Sequence, residues 1–191
     1  MTEAGENLVQ SWRTLPDATE VDVSKEFMGV TLAIVCKAMF SSDVKEAQEV
    51  VDREFDRANE ALVERITHAL KVPLSIPTPS NIREKKSYTD IKKVVADIIQ
   101  KRRNSTDRYD DLLAMLMEAQ DEGTGERMSN EQIQDEVITI FLAGHETTAV
   151  ALSWLFHCVN DNPDVEQKLV EEERQILNGR IPDMQDVRTL T

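Results

Sequence analysis

Apolar residues recur along most of the 191-residue chain at steps of three and four, the period of an amphipathic helix. The pattern predicts a mainly α-helical protein with helices over 24–40, 47–70, 82–103, 109–120, 129–160 and 163–177, and a weaker one over 7–15. Local chemistry supplies the boundaries: Ser24 is placed to cap Lys25-Glu26-Phe27, and Pro163 suits the first helical position after Asn162. Residues 71–81 carry Pro73, Pro77 and Pro79, so the segment is expected to be non-helical. Because Val72, Leu74 and Ile76 alternate with those prolines, it reads either as a lid or as a packed crossover. Residues 121–128 form a polar, glycine-containing turn that predicts a hairpin or excursion.

The segment 129–160 differs from the others. Ser129 and Gln132 make a capping box and Asn160-Asp-Asn-Pro163 ends the run, giving a helix of about 30 residues and about 45 Å. From Val137 to Val159 it is apolar on nearly every face, so it is buried on all sides or lies in a membrane. A membrane span would put Glu146 near its midpoint, at about 2.5–3.5 kcal/mol. No integral membrane segment is therefore expected, and the helix reads as the central rod of a larger helical body than 191 residues readily supply. Ile140, Ala143, Gly144, Thr147 and Ala151 share one stripe with Thr148 beside it, bounded by Phe141, Leu142, Trp154 and Phe156. Such a stripe admits a flat ligand or a closely packed neighbouring helix. Glu146-Thr147 in the same turn favours chemistry: a carboxyl within a buried helix is costly unless paired, and is a candidate for proton handling.

Charge and cysteine content narrow the partners. Lys and Arg number 22 against 36 Asp and Glu, a net charge of −14, which argues against nucleic acid or anionic lipid. Cys36 and Cys158 are too few for a disulfide framework and lack CxxC spacing; a reducing, cytoplasmic setting and burial in helices are expected. The first residues, Met-Thr-Glu-Ala-Gly-Glu, contain neither a basic nor an apolar stretch of a secretory signal. His145-Glu146 opens an H-E-x-x-H string, but position 149 is Ala, and His68 and His157 have no partners at ligand spacing, so no protein-bound metal is expected.

The hexapeptide Ala143-Gly-His-Glu-Thr-Thr148 resembles the oxygen-activation motif, A/G-G-x-D/E-T-T/S, of the central helix in cytochrome P450 haem-thiolate monooxygenases. The Ser-Asn-Glu-Gln-Ile entry, the Asn-Pro-Asp-Val-Glu-Gln-Lys-Leu segment after the helix, and Pro-Thr-Pro-Ser-Asn ahead of Ile91-Lys-Lys-Val-Val are also similar to bacterial-type members. The resemblance implies a partial cytochrome P450 fold over 1–191, with a lid loop near 71–81 and the oxygen-activating helix at 129–160. It implies that Ala143 and Gly144 lie over the haem face, with Ile140 and Thr148 also in the haem site, and that Leu142 and Ala143 line the substrate pocket. Thr147 would hydrogen-bond the oxygen or its water, and Glu146 would relay protons. Haem, O2, a small apolar organic substrate, and electrons from NAD(P)H through a reductase or a ferredoxin or flavin domain are implied as cofactor and partners.

The family's axial cysteine lies in F-x-x-G-x-x-x-C-x-G, and neither Cys36 nor Cys158 has such flanks. The resemblance therefore implies an internal fragment, lacking the iron ligand and the N-terminal region and inactive by itself. Glu54/Arg57 and Glu171/Arg174 match the family's E-x-x-R string but read as solvated i,i+3 pairs of little weight. The competing reading is a non-enzymatic helical binding or scaffold module.

Overall fold

A computed structural model describes residues 1–41, 54, 57, 73 and 75–190. Among them the chain folds as α1 (Thr2–Arg13), α2 (Val23–Phe40), α3 (Pro79–Asn104), α4 (Leu112–Glu118), α5 (Asn130–Asn160) and α6 (Pro163–Ile176), followed by a 3-10 turn at Asp186–Arg188. The mainly α-helical class expected from the periodicity is the one observed. The helix expected over 47–70 lies outside the described residues except for Glu54 and Arg57, both helical.

Several boundaries follow the expected chemistry and several do not. The capping box is reciprocal: Gln132 N donates to Ser129 Oγ at 3.2 Å, and Ser129 N donates to Gln132 Oε1 at 2.8 Å. The polar turn is a hairpin, closed by an antiparallel bridge between Gln120 and Arg127, with Gly125 at φ +70°. By contrast, α2 starts one residue before Ser24. Its start is capped by Asp22, whose Oδ1 accepts from Ser24 N at 3.2 Å and Lys25 N at 3.4 Å. Helix α1 is longer than the weak 7–15 segment and starts at Thr2. Helix α4 is only seven residues long, because Asp111 serves as its N-cap, accepting from Ala114 N at 2.9 Å, and leaves Tyr109 outside.

The proline-rich segment also departs from expectation. Pro79, Ser80 and Asn81 are helical: Thr78 caps α3 and Pro79 takes the first turn, where a missing N–H costs nothing. The buried Asn81 amide donates to the carbonyls of Pro73 at 2.9 Å and Ile76 at 2.8 Å, which ties the preceding turn to the helix. Residues 71, 72 and 74 lie outside the described set.

The described chain divides into two units, Met1–Ile34 with Gly144–Thr191, and Val35–Ala143. In the second unit Ile91, Val95 and Ile99, at four-residue steps on α3, share a core with Met39 and Phe40 of α2, Leu113 of α4, and Ile133, Val137 and Ile138 of α5. At its edge Arg102 Nη1 donates to both oxygens of the buried Asp111 at 2.8–2.9 Å, and Nη2 donates to Phe40 O at 2.9 Å. The Tyr109 ring lies 3.6 Å beneath the guanidinium carbon. In the first unit Trp12 of α1, Phe27 of α2 and Phe156 of α5 form an aromatic cluster, with the Phe27 and Phe156 centroids 4.8 Å apart at 64°. That unit closes with Arg180, which holds Asp186 through two parallel hydrogen bonds, one of 2.7 Å.

Candidate functional site

Helix α5 carries the hexapeptide in its middle turns, and its two faces differ in exposure. Val137, Phe141, His145 and Ala149 are buried at four-residue steps along one side. At 100° per residue Ala143 and Thr147 of the stripe lie opposite His145, while Ile140, Gly144 and Ala151 lie on the flank between them and the buried side. Ala143, Thr147, Thr148 and Ala151 are exposed, and Ile140 and Gly144 are half-buried. Glu146 stands between the two faces and is half-buried. The side chain of Leu142 lies outside the described set.

Beyond the hexapeptide the helix is open as well, in keeping with the central rod of a body larger than these 191 residues supply. Trp154 is 62% exposed, and Val150 and Leu155 lie open beside it. By length and composition α5 is the one described helix able to cross a membrane.

His145 is the residue that sequence reasoning missed. Considered there only as a zinc ligand, it is 1% exposed, and its Nε2 lies 3.1 Å from the Met28 carbonyl of α2. A carbonyl oxygen only accepts, so Nε2 carries a proton and donates. The four-residue step from Val137 through Phe141 was the available signal, since it continues through position 145.

Two other expectations change. Cys36 is buried as expected, but Cys158 is exposed near the end of α5. Glu54 is buried, not solvated: Arg57 Nη1 donates to one of its oxygens at 2.8 Å and Ser87 Oγ of α3 donates to the other at 3.1 Å. Glu171 accepts from Gln167 at 2.9 Å. His157 is exposed, 3.8 Å from Asp161, and His68 lies outside the described residues. Among the described residues no group of three or more His, Cys, Asp or Glu side chains is placed to hold a metal ion. The open polar recess at the 121–128 hairpin contains none of the expected site residues. Its Asp121 carboxyl is held below the usual carboxylate range, first by the Thr124 backbone N–H and then by that of Gly123.

A helical chain with a small-residue, Glu-Thr-bearing central helix defines a recognisable class, and comparison with known proteins agrees. The cytochrome P450 family model matches residues 1–191. The chain is 33% identical over 178 residues to pentalenene oxygenase of Streptomyces avermitilis, covering 92% of this chain and 39% of that protein. It is 30% identical to cyclooctat-9-en-7-ol 5-monooxygenase of Streptomyces melanosporofaciens, over 95% of this chain and 39% of the relative. It is also 29% identical to a bifunctional cytochrome P450/NADPH–P450 reductase of Bacillus cereus, over all of this chain and 18% of the relative. The chain belongs to the cytochrome P450 family, and it spans about two fifths of the length of the two Streptomyces relatives.

Proposed function

We infer that this chain is the oxygen-activating and lid-bearing part of a haem monooxygenase that inserts one atom of O2 into a small apolar organic substrate. The observation that carries the reading is the two-faced helix α5: His145 and Ala149 are buried on one side, while Ala143 and Thr147 on the other are exposed, with Gly144 half-buried beside them. The names of the Streptomyces relatives, an oxygenase of pentalenene and a monooxygenase of cyclooctat-9-en-7-ol, fit a compact apolar substrate. The reductase in the name of the Bacillus cereus relative fits electron supply from NADPH; for this chain we infer NAD(P)H and a reductase, ferredoxin or flavin partner.

The residues present fit one side of a haem. Ala143 and Gly144 project no side chain beyond a methyl, so a flat ring can approach the helix axis, with Ile140 and Thr148 at its margin. Neither the buried Cys36 nor the exposed Cys158 has the flanks of the family's iron ligand, so the thiolate is assigned to sequence outside this chain. When bound, the haem supplies the reductive activation of dioxygen. Leu142 and Ala143 contribute to the wall that holds substrate. Thr147 holds a proton or a water within hydrogen-bond reach of the oxygen site, and the half-exposed Glu146 collects protons from solvent and passes them inward. Together they deliver protons without opening the site to bulk water.

The test uses the full-length enzyme. Thr147→Ala is expected to uncouple electron consumption from product formation and release peroxide, measured as product formed per NAD(P)H consumed. Glu146→Gln is expected to lower turnover about 10²-fold, the low end for general acid–base groups. Unchanged coupling and turnover in both variants would overturn the proton-delivery roles. The 191-residue chain, reduced with haem and carbon monoxide, is expected to give no Soret band at the thiolate-ligated position.

A further inference from the structure

Resting on the oxygen-activation reading of α5, we propose that His145 is a positioning residue. By donating Nε2–H to Met28 O, it fixes the rotation of the hexapeptide turn about the helix axis and so aims Thr147 and Glu146. The bond belongs to a buried polar node. Thr31, 3% exposed, places its Oγ 2.8 Å from Phe27 O and 3.2 Å from Met28 O, so Thr31 and His145 converge on one turn of α2. A helical carbonyl has two lone pairs, and the one not used along the helix can take a side-chain donor.

Within 143–149 the turn has few large side chains of its own to pack, its nearest large buried neighbour on the helix being Phe141. Helices lock through ridges of side chains, yet residues 143, 144 and 149 are Ala, Gly and Ala, and His145 is the one large buried side chain from 143 to 149. At a side-chain radius of about 5–6 Å, a rotation of roughly 20° carries the tip of Thr147 about 2 Å. A 1 Å misplacement can cost about 10²-fold in rate. A directional hydrogen bond on the opposite face is therefore worth more to Thr147 than its contribution to stability suggests.

Three measurements on the full-length, haem-loaded protein test this. Ring 15N shifts of the wild type are expected to show His145 protonated at Nε2 with slow exchange; an Nδ1–H tautomer would overturn the proposal, and this measurement needs no variant to fold. His145→Leu removes the donor, whereas His145→Gln carries an amide N–H the same number of bonds from the backbone. In the Leu variant, hydrogen exchange of the 145–149 amides is expected to rise about fivefold to tenfold and product formed per NAD(P)H to fall, with Gln restoring both. Leu and Gln behaving alike in exchange would overturn the anchor. Should Thr147→Ala leave coupling unchanged, the oxygen-activation reading fails, while the exchange contrast between Leu and Gln still decides whether His145 holds the turn.

Discussion

Arg102 and Asp111 show how much one pair of side chains can carry. Arg102 is 9% and Asp111 1% exposed at the side chain, and each has further partners: Phe40 O and the Tyr109 ring for the guanidinium, Ala114 N for the carboxylate. Arg102→Ala leaves a buried carboxylate without its counter-ion, and a loss of about 3–5 kcal/mol is expected in urea unfolding. Asp111→Asn keeps an oxygen for the α4 cap and should lose less than Asp111→Ala. Asp186 lies under a different control. The Arg180 guanidinium, and after it the Asp183 backbone N–H, hold its carboxyl down to about 2 from 3.8. A depressed folded-state value means that the pair's contribution is full above about pH 4 and is lost as pH falls toward 2. Arg180→Gln is expected to raise the Asp186 value, read by NMR titration. These roles are not legible in the sequence: Asp111 stands beside Asp110 in a polar stretch, and its burial follows from the approach of Arg102, nine positions away. His145 was passed over for a similar reason, since the string it opens was judged only by its second histidine position.

The elements were legible wherever their cause is local. The Ser129–Gln132 box and Pro163 act within one turn, and the observed α5 and α6 begin within one residue of the expected positions. Helix α2 shows where local rules are ambiguous: Asp22 and Ser24 both suit an N-cap, and the side chain that accepts the amides is that of Asp22. The hydrophobic period of α2 places Phe27 in the aromatic cluster, where it meets both Trp12 and Phe156. Phe27→Ala is expected to cost about 3–5 kcal/mol, measured as a lowered urea midpoint with unchanged slope. The period of α5 is legible as helical, and its apolar circumference implies more cover than 191 residues readily supply. Its buried stripe is one-sided, and Ala143 and Thr147 lie on the other side. Composition around a helix records what the whole protein places there, and a chain spanning 39% of its Streptomyces relatives need not contain all of it.

At the scale of the whole molecule, the family match extends from residue 1 to residue 191, so each unit carries family sequence. Helices α2 and α5 each contribute one end to each unit, with the division falling between Ile34 and Val35 and between Ala143 and Gly144. The aromatic residues are distributed in a way that experiment can use. Both tryptophans, Trp12 and Trp154, belong to the first unit, and both tyrosines, Tyr88 and Tyr109, belong to the second. The molecule is thus optically labelled by its own sequence: emission excited at the red edge, where only indole absorbs, follows the first unit, and tyrosine difference absorbance follows the second. Overlaid denaturation curves from the two signals read out whether the halves melt as one cooperative body or in succession.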